Sequence, residues 1–179
     1  MSGRGETALP HALVVGGSGM LAGTCTGFAR RGWRVSVVAR DAAKLERLSA
    51  QHPAIASIGI DYRDTVGFRT AIGQARERYG PLELAVCWIR SSEPEALRVV
   101  AEQIADSGLL LHVLGTSSMA SAVQADAVRD RLGSRYRRIV LGRVSSGHGW
   151  RWLSHAEISA GVLDAFDHDD AEHVVGALE

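Results

Sequence analysis

The sequence has little of several features that would direct it to particular classes of protein. Basic and acidic residues are equal in number, 20 of each, so no net charge attracts it to nucleic acid or to an acidic membrane surface. No apolar run approaches the roughly 20 residues that span a bilayer. Only two cysteines are present, Cys25 and Cys87, and we expect both to be buried, reduced thiols rather than a disulfide or a nucleophile.

The length and the first residues indicate how the chain is organised. A chain of 179 residues suits one domain that buries roughly 70% of its unfolded surface. We expect residues 1–9 to form a flexible tail and residues 10–179 to form that domain. Residues 1–6 contain no apolar stretch typical of a signal peptide, so we expect a cytoplasmic protein.

A glycine turn that directly follows an apolar run is the most informative segment. Residues 13–23 read LVVGGSGMLAG. A backbone that passes close to a pyrophosphate has no room for side chains and often needs positive φ, and the next helix offers its free N–H groups to the phosphates. The segment 17–22 fits G-x-G-x-x-G/A, with Ala22 as the small residue that lets helix and strand pack closely.

This turn predicts a dinucleotide site. The residues predicted to contact the cofactor there are Gly16, Gly17, Ser18, Gly19, Met20 and Leu21. The alternative is a tight strand-to-helix turn that binds no ligand.

Apolar runs and helix signals alternate along the rest of the chain. The predicted strands are 11–16, 33–39, 55–61, 82–89, 109–115, 136–144 and 173–178. The predicted helices are about 19–31, 41–51, 64–80, 92–107, 118–132 and 154–166. Strands separated by such helices run parallel with right-handed crossovers. The predicted fold is a single doubly wound α/β sheet in the order 3-2-1-4-5-6-7, with helices on both faces and a ligand crevice where the first and fourth strands end.

Two helix starts carry capping signals. Residues 92–95 and 154–157 each read as a capping box, and Pro94 suits the first turn of its helix. Next to the second box, Trp152 is predicted to act as a hydrophobic staple.

Together these residues resemble the short-chain dehydrogenase/reductase superfamily, in a small, divergent form. Residues 16–22 are similar to the T-G-x-x-G-x-x-G turn of its atypical and extended branches. Residues 37–40, VVAR, resemble the end of the second strand in NADP-preferring members, where an arginine replaces the acid that binds a ribose hydroxyl. Residues 87–89, CWI, take the place of the family's N-A-G segment, and residues 115–118, GTSS, end the strand where the family places its catalytic serine.

The chain departs from the family at the catalytic pair. Members carry Tyr-x-x-x-Lys about a dozen residues beyond that serine, but residues 119–131 contain neither tyrosine nor lysine. Lys44 is the only lysine and lies near the predicted adenosine end, while Tyr136 comes too late in the sequence. The acid that protonates a carbonyl oxygen is therefore missing.

The resemblance implies NADP(H) as cofactor and suggests further contacts. Arg40, with Lys44 one turn later, would pair with the 2′-phosphate; the alternative is a solvated charge. Asp61 follows the third strand, where the family keeps an aspartate near the adenine amino group, or it forms a strand-end Asx turn. Trp88 either packs as a core aromatic or faces the crevice as a platform for nicotinamide or substrate.

Candidate catalytic groups lie at the ends of the fifth and sixth strands. The hydroxyls of Thr116 and Ser117 would point into the crevice, or would only cap the next helix. Residues 145–152, SSGHGWRW, follow the sixth strand, where the family places the loop over nicotinamide and substrate. We expect His148 and Arg151 to face the nicotinamide end, where a histidine, which titrates near neutrality, can replace the missing acid; the alternative is an ordinary ordered loop. His112 is expected to be a satisfied core residue.

The favoured function is an NADP(H)-dependent oxidoreductase acting on a small organic substrate. The alternatives are a non-catalytic NADP(H)-binding accessory or regulatory protein, and an interaction protein that retains only the fold. We expect a homo-oligomer, most simply a dimer through helices 95–107 and 118–132. No metal, nucleic-acid partner or membrane partner is predicted.

Overall fold

A computed structural model of the chain describes residues 8–116, 125–147 and 149–178. Its elements, in order, are β1 (His11–Val15), α1 (Ala22–Arg30), β2 (Arg34–Ala39), α2 (Ala42–Ser49), β3 (Ile55–Gly59), α3 (Thr65–Tyr79), β4 (Leu82–Cys87), α4 (Pro94–Gln103), β5 (Ile104–Gly115), α5 (Asp126–Leu132), a 3-10 turn (Gly133–Arg135), β6 (Tyr136–Leu141), β7 (Arg143–Ser146), β8 (Gly149–Trp152), α6 (His155–Asp167) and β9 (Glu172–Val175). The predicted 1–9 tail falls mostly outside the described residues.

Seven strands form one sheet in the order β3-β2-β1-β4-β5-β6-β9, and every neighbouring pair is parallel. The predicted doubly wound fold and strand order are confirmed, with β9 as the predicted seventh strand. All five residues of β1 are buried, because helices cover both faces of the sheet.

The two faces of the sheet carry separate apolar clusters. Helices α1, α2 and α6 cover one face, where Phe28, Leu45 and Val162 are buried. Helices α3, α4 and α5 cover the other, where Phe68, Leu97 and Val128 are buried. Cys25 and Cys87 are buried free thiols, as predicted. Burial raises the pKa of Cys25 to about 12 and also raises that of Cys87.

The first helix begins later than the predicted residue 19. Residues 16–21 form the turn itself, and α1 begins at Ala22, whose N–H donates to the carbonyl oxygen of Gly19 at 3.0 Å. The glycine turn therefore includes Leu21, whose side chain is fully buried.

The fourth helix and fifth strand meet earlier than predicted. Helix α4 ends at Gln103 rather than near residue 107, and β5 begins at Ile104 rather than at 109. Pairing with β4 draws these residues into the sheet, since Ile104 pairs with Leu82 before a register irregularity. Gly108 fits closely there: a Cβ would lie 2.7 Å from the Leu82 carbonyl oxygen.

The predicted capping box at residues 92–95 is wrong. Glu93 is the N-cap residue of α4 and its side chain makes no capping hydrogen bond. Because Pro94 starts the helix one residue later than expected, Glu95 is too close to the N-cap to complete a box.

The predicted sixth strand, 136–144, is two strands. It breaks at Gly142, which packs so closely on Ala177 that a Cβ would collide with the backbone there. β7 then pairs antiparallel with β8. The predicted loop 145–152 is therefore largely a β-hairpin, and we call β7–β8 the hairpin.

The capping box at the start of α6 is confirmed, with Ser154 and Glu157 bonded reciprocally. The staple prediction for Trp152 is wrong, because this side chain is 62% exposed. The next residue, Leu153, packs on the cluster that contains Ile158. Leu153 is the residue directly before the N-cap, where a staple belongs.

Across the described residues, every helix is too short or too polar to cross a membrane. The same residues bring together no group of three or more His, Cys, Asp or Glu side chains that could hold a metal ion.

Candidate functional site

An open cavity of about 660 Å³ lies where β1, β2, β3 and β4 end. Its lining comes from the glycine turn, from the end of β2 and the start of α2, and from the residues just after β3 and β4. These residues are Gly16, Ser18, Gly19, Met20, Val38, Ala39, Arg40, Asp41, Lys44, Ile60, Tyr62, Trp88 and Arg90. The cavity lies at the carboxyl edge of the parallel strands, where doubly wound sheets bind their ligands.

Within the glycine turn, two glycines shape the edge of this cavity. Gly16 has φ of +80°, and a Cβ there would lie 3.1 Å from the carbonyl oxygen of Trp88. A Cβ at Gly19 would meet no atom within 4 Å. Gly16 therefore permits the tight turn, whereas Gly19 leaves bare backbone beside open space.

Two of the turn residues predicted to contact the cofactor are buried away from the cavity. Gly17 is buried, and a Cβ there would lie 2.7 Å from Val37 Cγ1 and 2.9 Å from Cys25 Sγ. Leu21 is fully buried in the core. Neither residue lines the cavity, so both shape the turn from within, while Ser18 and Met20 line the cavity with the two other glycines.

Two basic side chains, Arg40 and Lys44, lie beside the end of β2 at the cavity. Arg40 is 68% exposed, and its nearest carboxylate is Asp61, with Nη1 and Oδ2 3.8 Å apart. Lys44 Nζ lies 3.7 Å from Asp41 Oδ2. Asp41 itself caps α2 by accepting from the Lys44 N–H at 3.0 Å, which lowers the pKa of the Asp41 carboxyl. The long ion-pair distances leave Arg40 and Lys44 able to bind an anionic ligand.

Asp61 is held by its own neighbour. Its Oδ1 accepts from the Arg63 N–H at 3.0 Å, and its Oδ2 accepts from Arg63 Nε at 3.0 Å. The side-chain hydrogen bond from Arg63 is the main cause that lowers the pKa of Asp61 to about 2. This is the Asx turn that the sequence left open, and Asp61 does not line the cavity. Its contact with adenine stays a prediction.

Tyr62 and Arg90 are among the six lining residues that sequence reasoning did not name as cofactor contacts; the other four are Val38, Ala39, Asp41 and Ile60. The Arg90 N–H lies 3.5 Å from Tyr62 Oη, so these residues meet across the ends of β3 and β4. Their position just after two predicted strands was the available signal, because parallel strands bring their carboxyl ends to one edge.

Trp88 lies across the middle of the carboxyl edge. A Cβ at Gly16 would be 3.4 Å from Trp88 Cδ1, and one at Gly115 would be 3.8 Å from Trp88 Cη2. The indole therefore reaches from the end of β1 to the end of β5. On its far side lies a second cavity of about 220 Å³, lined by Trp88, Ile89, Arg90, Ser91, Ser92, Val113 and Leu114.

The structure does not gather the predicted catalytic residues around either cavity. Thr116 is half-buried just after β5 and lines neither of them. Ser117 and His148 lie outside the described residues. Arg151 is exposed on β8 and binds Glu157 with both terminal nitrogens, at 2.8 Å each, which lowers the pKa of Glu157. The catalytic assignments stay predictions.

Tyr136 forms a buried polar pair with His112. Tyr136 Oη and His112 Nδ1 are 2.8 Å apart, and both side chains are buried. Burial raises the pKa of Tyr136 to about 12 and lowers that of His112 to about 4. The prediction that His112 is a satisfied core residue is confirmed. The buried, hydrogen-bonded phenol is poorly suited to donate a proton in the crevice.

The sequence matches no protein-family model and no curated protein, whereas many solved structures share its fold. A short-chain dehydrogenase/reductase from Serratia marcescens is 17% identical, with a TM-score of 0.68 over 93% of this chain and 97% of that one. An apo SCOR enzyme from Clostridium thermocellum is 15% identical, with a TM-score of 0.71 over 93% and 91%. A metagenomic short-chain oxidoreductase in complex with NADP is 18% identical, with a TM-score of 0.66 over 94% and 98%. The chain thus has the fold of the short-chain dehydrogenases/reductases.

Proposed function

We propose that this chain binds NADP(H) in the cavity at the ends of β1 to β4. The observation that carries the proposal is the bare backbone at Gly19, which opens on the same cavity as Arg40 and Lys44. An uncovered turn before a helix suits a pyrophosphate, and two exposed cations beside β2 suit an additional phosphate. A similar fold was solved with NADP, which supports this choice of cofactor.

Each lining residue has a proposed role toward the cofactor. The backbone at Gly16, Ser18, Gly19 and Met20 would hold the phosphates, with Gly17 and Leu21 shaping the turn. Arg40 and Lys44 would bind the 2′-phosphate. Tyr62 and Ile60 offer apolar surface to adenine, and Asp61 is the proposed polar neighbour of its amino group.

Hydride transfer to a small organic substrate is the second part of the proposal, and bound NADP(H) supplies that hydride. Residues 119–131 contain no tyrosine or lysine, and Tyr136 is buried against His112. The substrates that fit best are therefore flavins, enones or iminium ions. An iminium ion accepts hydride without a proton, and solvent can protonate the anion that hydride transfer to a flavin or an enone leaves. Thr116, Ser117, His148 and Arg151 are the proposed polar groups of the substrate side.

The same observations favour a second candidate, a non-catalytic NADP(H)-binding accessory protein. Its support is specific: Trp88 covers the middle of the crevice, and the described part of the substrate side contributes no polar group to the main cavity apart from Arg90. Calorimetry with NADPH and NADH tests cofactor binding, and we expect saturable binding of NADPH at one site per chain. No binding of either would refute both candidates. NADPH consumption that depends on added flavin, enone or iminium acceptor separates the enzyme from the accessory protein.

The proposed dimer has less support than the sequence suggested. Its basis was the apolar residues of helices 95–107 and 118–132, the second of which lies partly outside the described residues. In α4, Ala96, Leu97, Val99, Val100 and Ala101 are all buried within the chain. Pro94 and three charged residues are what α4 exposes. A dimer through α4 would therefore need polar contacts, and its existence stays a prediction for sedimentation measurements.

A further inference from the structure

Trp88, the residue that follows β4, lies at the point where the strand order of the sheet reverses. Strands β1 and β4 are neighbours in the sheet, and their chains continue to opposite sides of it. A dinucleotide in a doubly wound sheet lies across this switch point, with one half on each side. Any side chain that covers the switch point therefore lies on the path between the two halves.

The strand register explains why the side chain of Trp88 lies there. Val14 pairs with Val86, and Val86 pairs with Leu111. Side chains alternate between the faces of a strand, so the residues two positions later share the face of α1 and α6. Those residues are Gly16, Trp88 and Val113. Gly115, two residues after Val113 on β5, lies on the same face.

The glycines on both sides of Trp88 give its ring this space. The indole approaches Gly16 with Cδ1 and Gly115 with Cη2, and Trp88 also packs against the apolar cluster of that face. A longer residue at 16 or 115 would compete for the same space. The half-buried ring thus lies over bare backbone at both of its ends.

The ring also divides the open volume into two parts. The cavity of about 660 Å³ is lined from the glycine turn, β2, β3 and the residues after β4. The cavity of about 220 Å³ lies toward β5. Trp88 and Arg90 line both, so Trp88 forms a wall between the side that carries Arg40 and the side that carries Val113.

We infer that Trp88 is a specificity-determining gate: with the indole seated between Gly16 and Gly115, the crevice takes the 2′-phosphorylated adenosine half of the cofactor and excludes the nicotinamide half. This inference rests on the proposed binding of NADP(H). The nicotinamide half enters only when the indole leaves its seat. The apparent affinity of the nicotinamide half is then its intrinsic affinity multiplied by the fraction of molecules in which the gate is open.

Calorimetry with two ligands tests the gate. Adenosine 2′,5′-bisphosphate needs only the larger cavity, whereas NADPH needs both sides. In the parent chain we expect similar dissociation constants for the two ligands, because the nicotinamide half gains no net contact. In Trp88→Ala we expect NADPH to bind about tenfold more tightly, as for an open fraction of about one tenth, with the bisphosphate unchanged.

Two further variants keep this test decisive. Trp88→Leu retains apolar contact with the core while shortening the reach toward Gly115, so it replaces Trp88→Ala if that variant does not fold. Trp150→Ala is the matched control, since it removes an indole from the exposed hairpin, away from the cavity lining. The control should bind both ligands as the parent does.

The other outcomes overturn the inference in distinguishable ways. If the bisphosphate binds and the two ligands keep the same ratio in every folded Trp88 variant, the gate is refuted while NADP(H) binding stands. If the Trp88 variants bind NADPH more weakly and the bisphosphate normally, Trp88 is a platform for the nicotinamide half. If neither ligand binds the parent or any variant, the proposed function and the gate both fail.

Discussion

The β1–β3 side of the crevice exposes bare backbone and cations, whereas on the β5–β6 side two pairs of ionisable groups among the described residues are engaged with one another. On the first side Gly19 faces open space and Arg40 is 3.8 Å from its nearest carboxylate. On the second side Arg151 is bound at 2.8 Å by Glu157, and the Tyr136 phenol is bonded to buried His112.

This difference separates the requirements of cofactor binding from those of hydride transfer. Phosphate recognition needs an uncovered turn and some exposed positive charge, which many sequences can supply. Hydride transfer with a protein acid needs one titratable group at one place, and the described residues of the β5–β6 side do not provide it. Binding and chemistry can therefore be tested separately in this chain.

The largest expected effect concerns the bare backbone. In Gly19→Val the branched side chain would occupy the space of the phosphates, and we expect NADPH affinity to fall at least about a hundredfold, or about 2.7 kcal/mol. The chain should remain folded, because a Cβ there meets no atom within 4 Å. Calorimetry and thermal unfolding measure the two quantities.

Gly17→Val, two residues before Gly19, is the variant matched to Gly19→Val. Its side chain would press on Val37 and Cys25, and such overpacking costs about 1–3 kcal/mol of stability. Normal NADPH binding by Gly19→Val would mean that the phosphates lie elsewhere.

The sequence was sufficient for the sheet order but not for every boundary. Alternating apolar runs and helix signals are local, and they predicted β1 to β6 and β9 in their places. The exchange of residues 104–107 from helix to strand depends on pairing with Leu82, and the break at Gly142 depends on Ala177, 35 positions later. Contacts at such separations leave no periodic signal in the sequence.

The candidate site divides in the same way. Gly16, Ser18, Gly19 and Met20 of the glycine turn were predicted from motif positions, as were Arg40, Lys44 and Trp88, and all of them line the cavity. Tyr62 and Arg90 carry no motif and were missed. The partner of Arg151 was also unpredictable, because it depends on how the hairpin folds against the first turn of α6.

The second prediction tests the charge on the β1–β3 side. Arg40→Asp should reduce or reverse a preference for NADPH over NADH, because a charge-assisted contact is worth about 1.5–3 kcal/mol. Arg47→Asp is the control: it makes the same charge change on α2 but does not line the cavity. Equal affinity of the parent chain for both cofactors would remove the basis for a 2′-phosphate site.

The third prediction concerns pH and the β5–β6 side. Burial lowers the pKa of His112 to about 4 from its ordinary value of 6.5, so protonation favours the unfolded chain. Stability from neutral His112 is complete above about pH 6.5 and is lost as the pH falls toward 4, by about 3 kcal/mol. Denaturant unfolding at several pH values measures this, and a His112→Leu variant should show a weaker dependence. An identical pH profile in that variant would assign the loss to other groups.

The fourth prediction asks whether Tyr136 has any catalytic part. Tyr136→Phe leaves the buried His112 imidazole without its partner, which should lower the unfolding free energy by about 1–3 kcal/mol. Any acceptor-dependent NADPH oxidation should persist at temperatures where the variant is folded. Loss of that activity with unchanged NADPH binding would place the phenol in the chemistry and would remove the contrast between the two sides.

The smallest effect is expected at the Arg151–Glu157 pair. Both groups are substantially exposed, and exposed ion pairs contribute little to stability. Arg151→Ala should therefore leave NADPH affinity unchanged and lower the melting temperature only slightly. Glu157→Gln removes the same ion pair but can keep its capping contact with Ser154. If Arg151 acts only by holding the hairpin against α6, the two variants should change turnover equally. If Arg151→Ala lowers turnover and Glu157→Gln does not, the guanidinium contacts the substrate directly, and the β5–β6 side then contains a functional group after all.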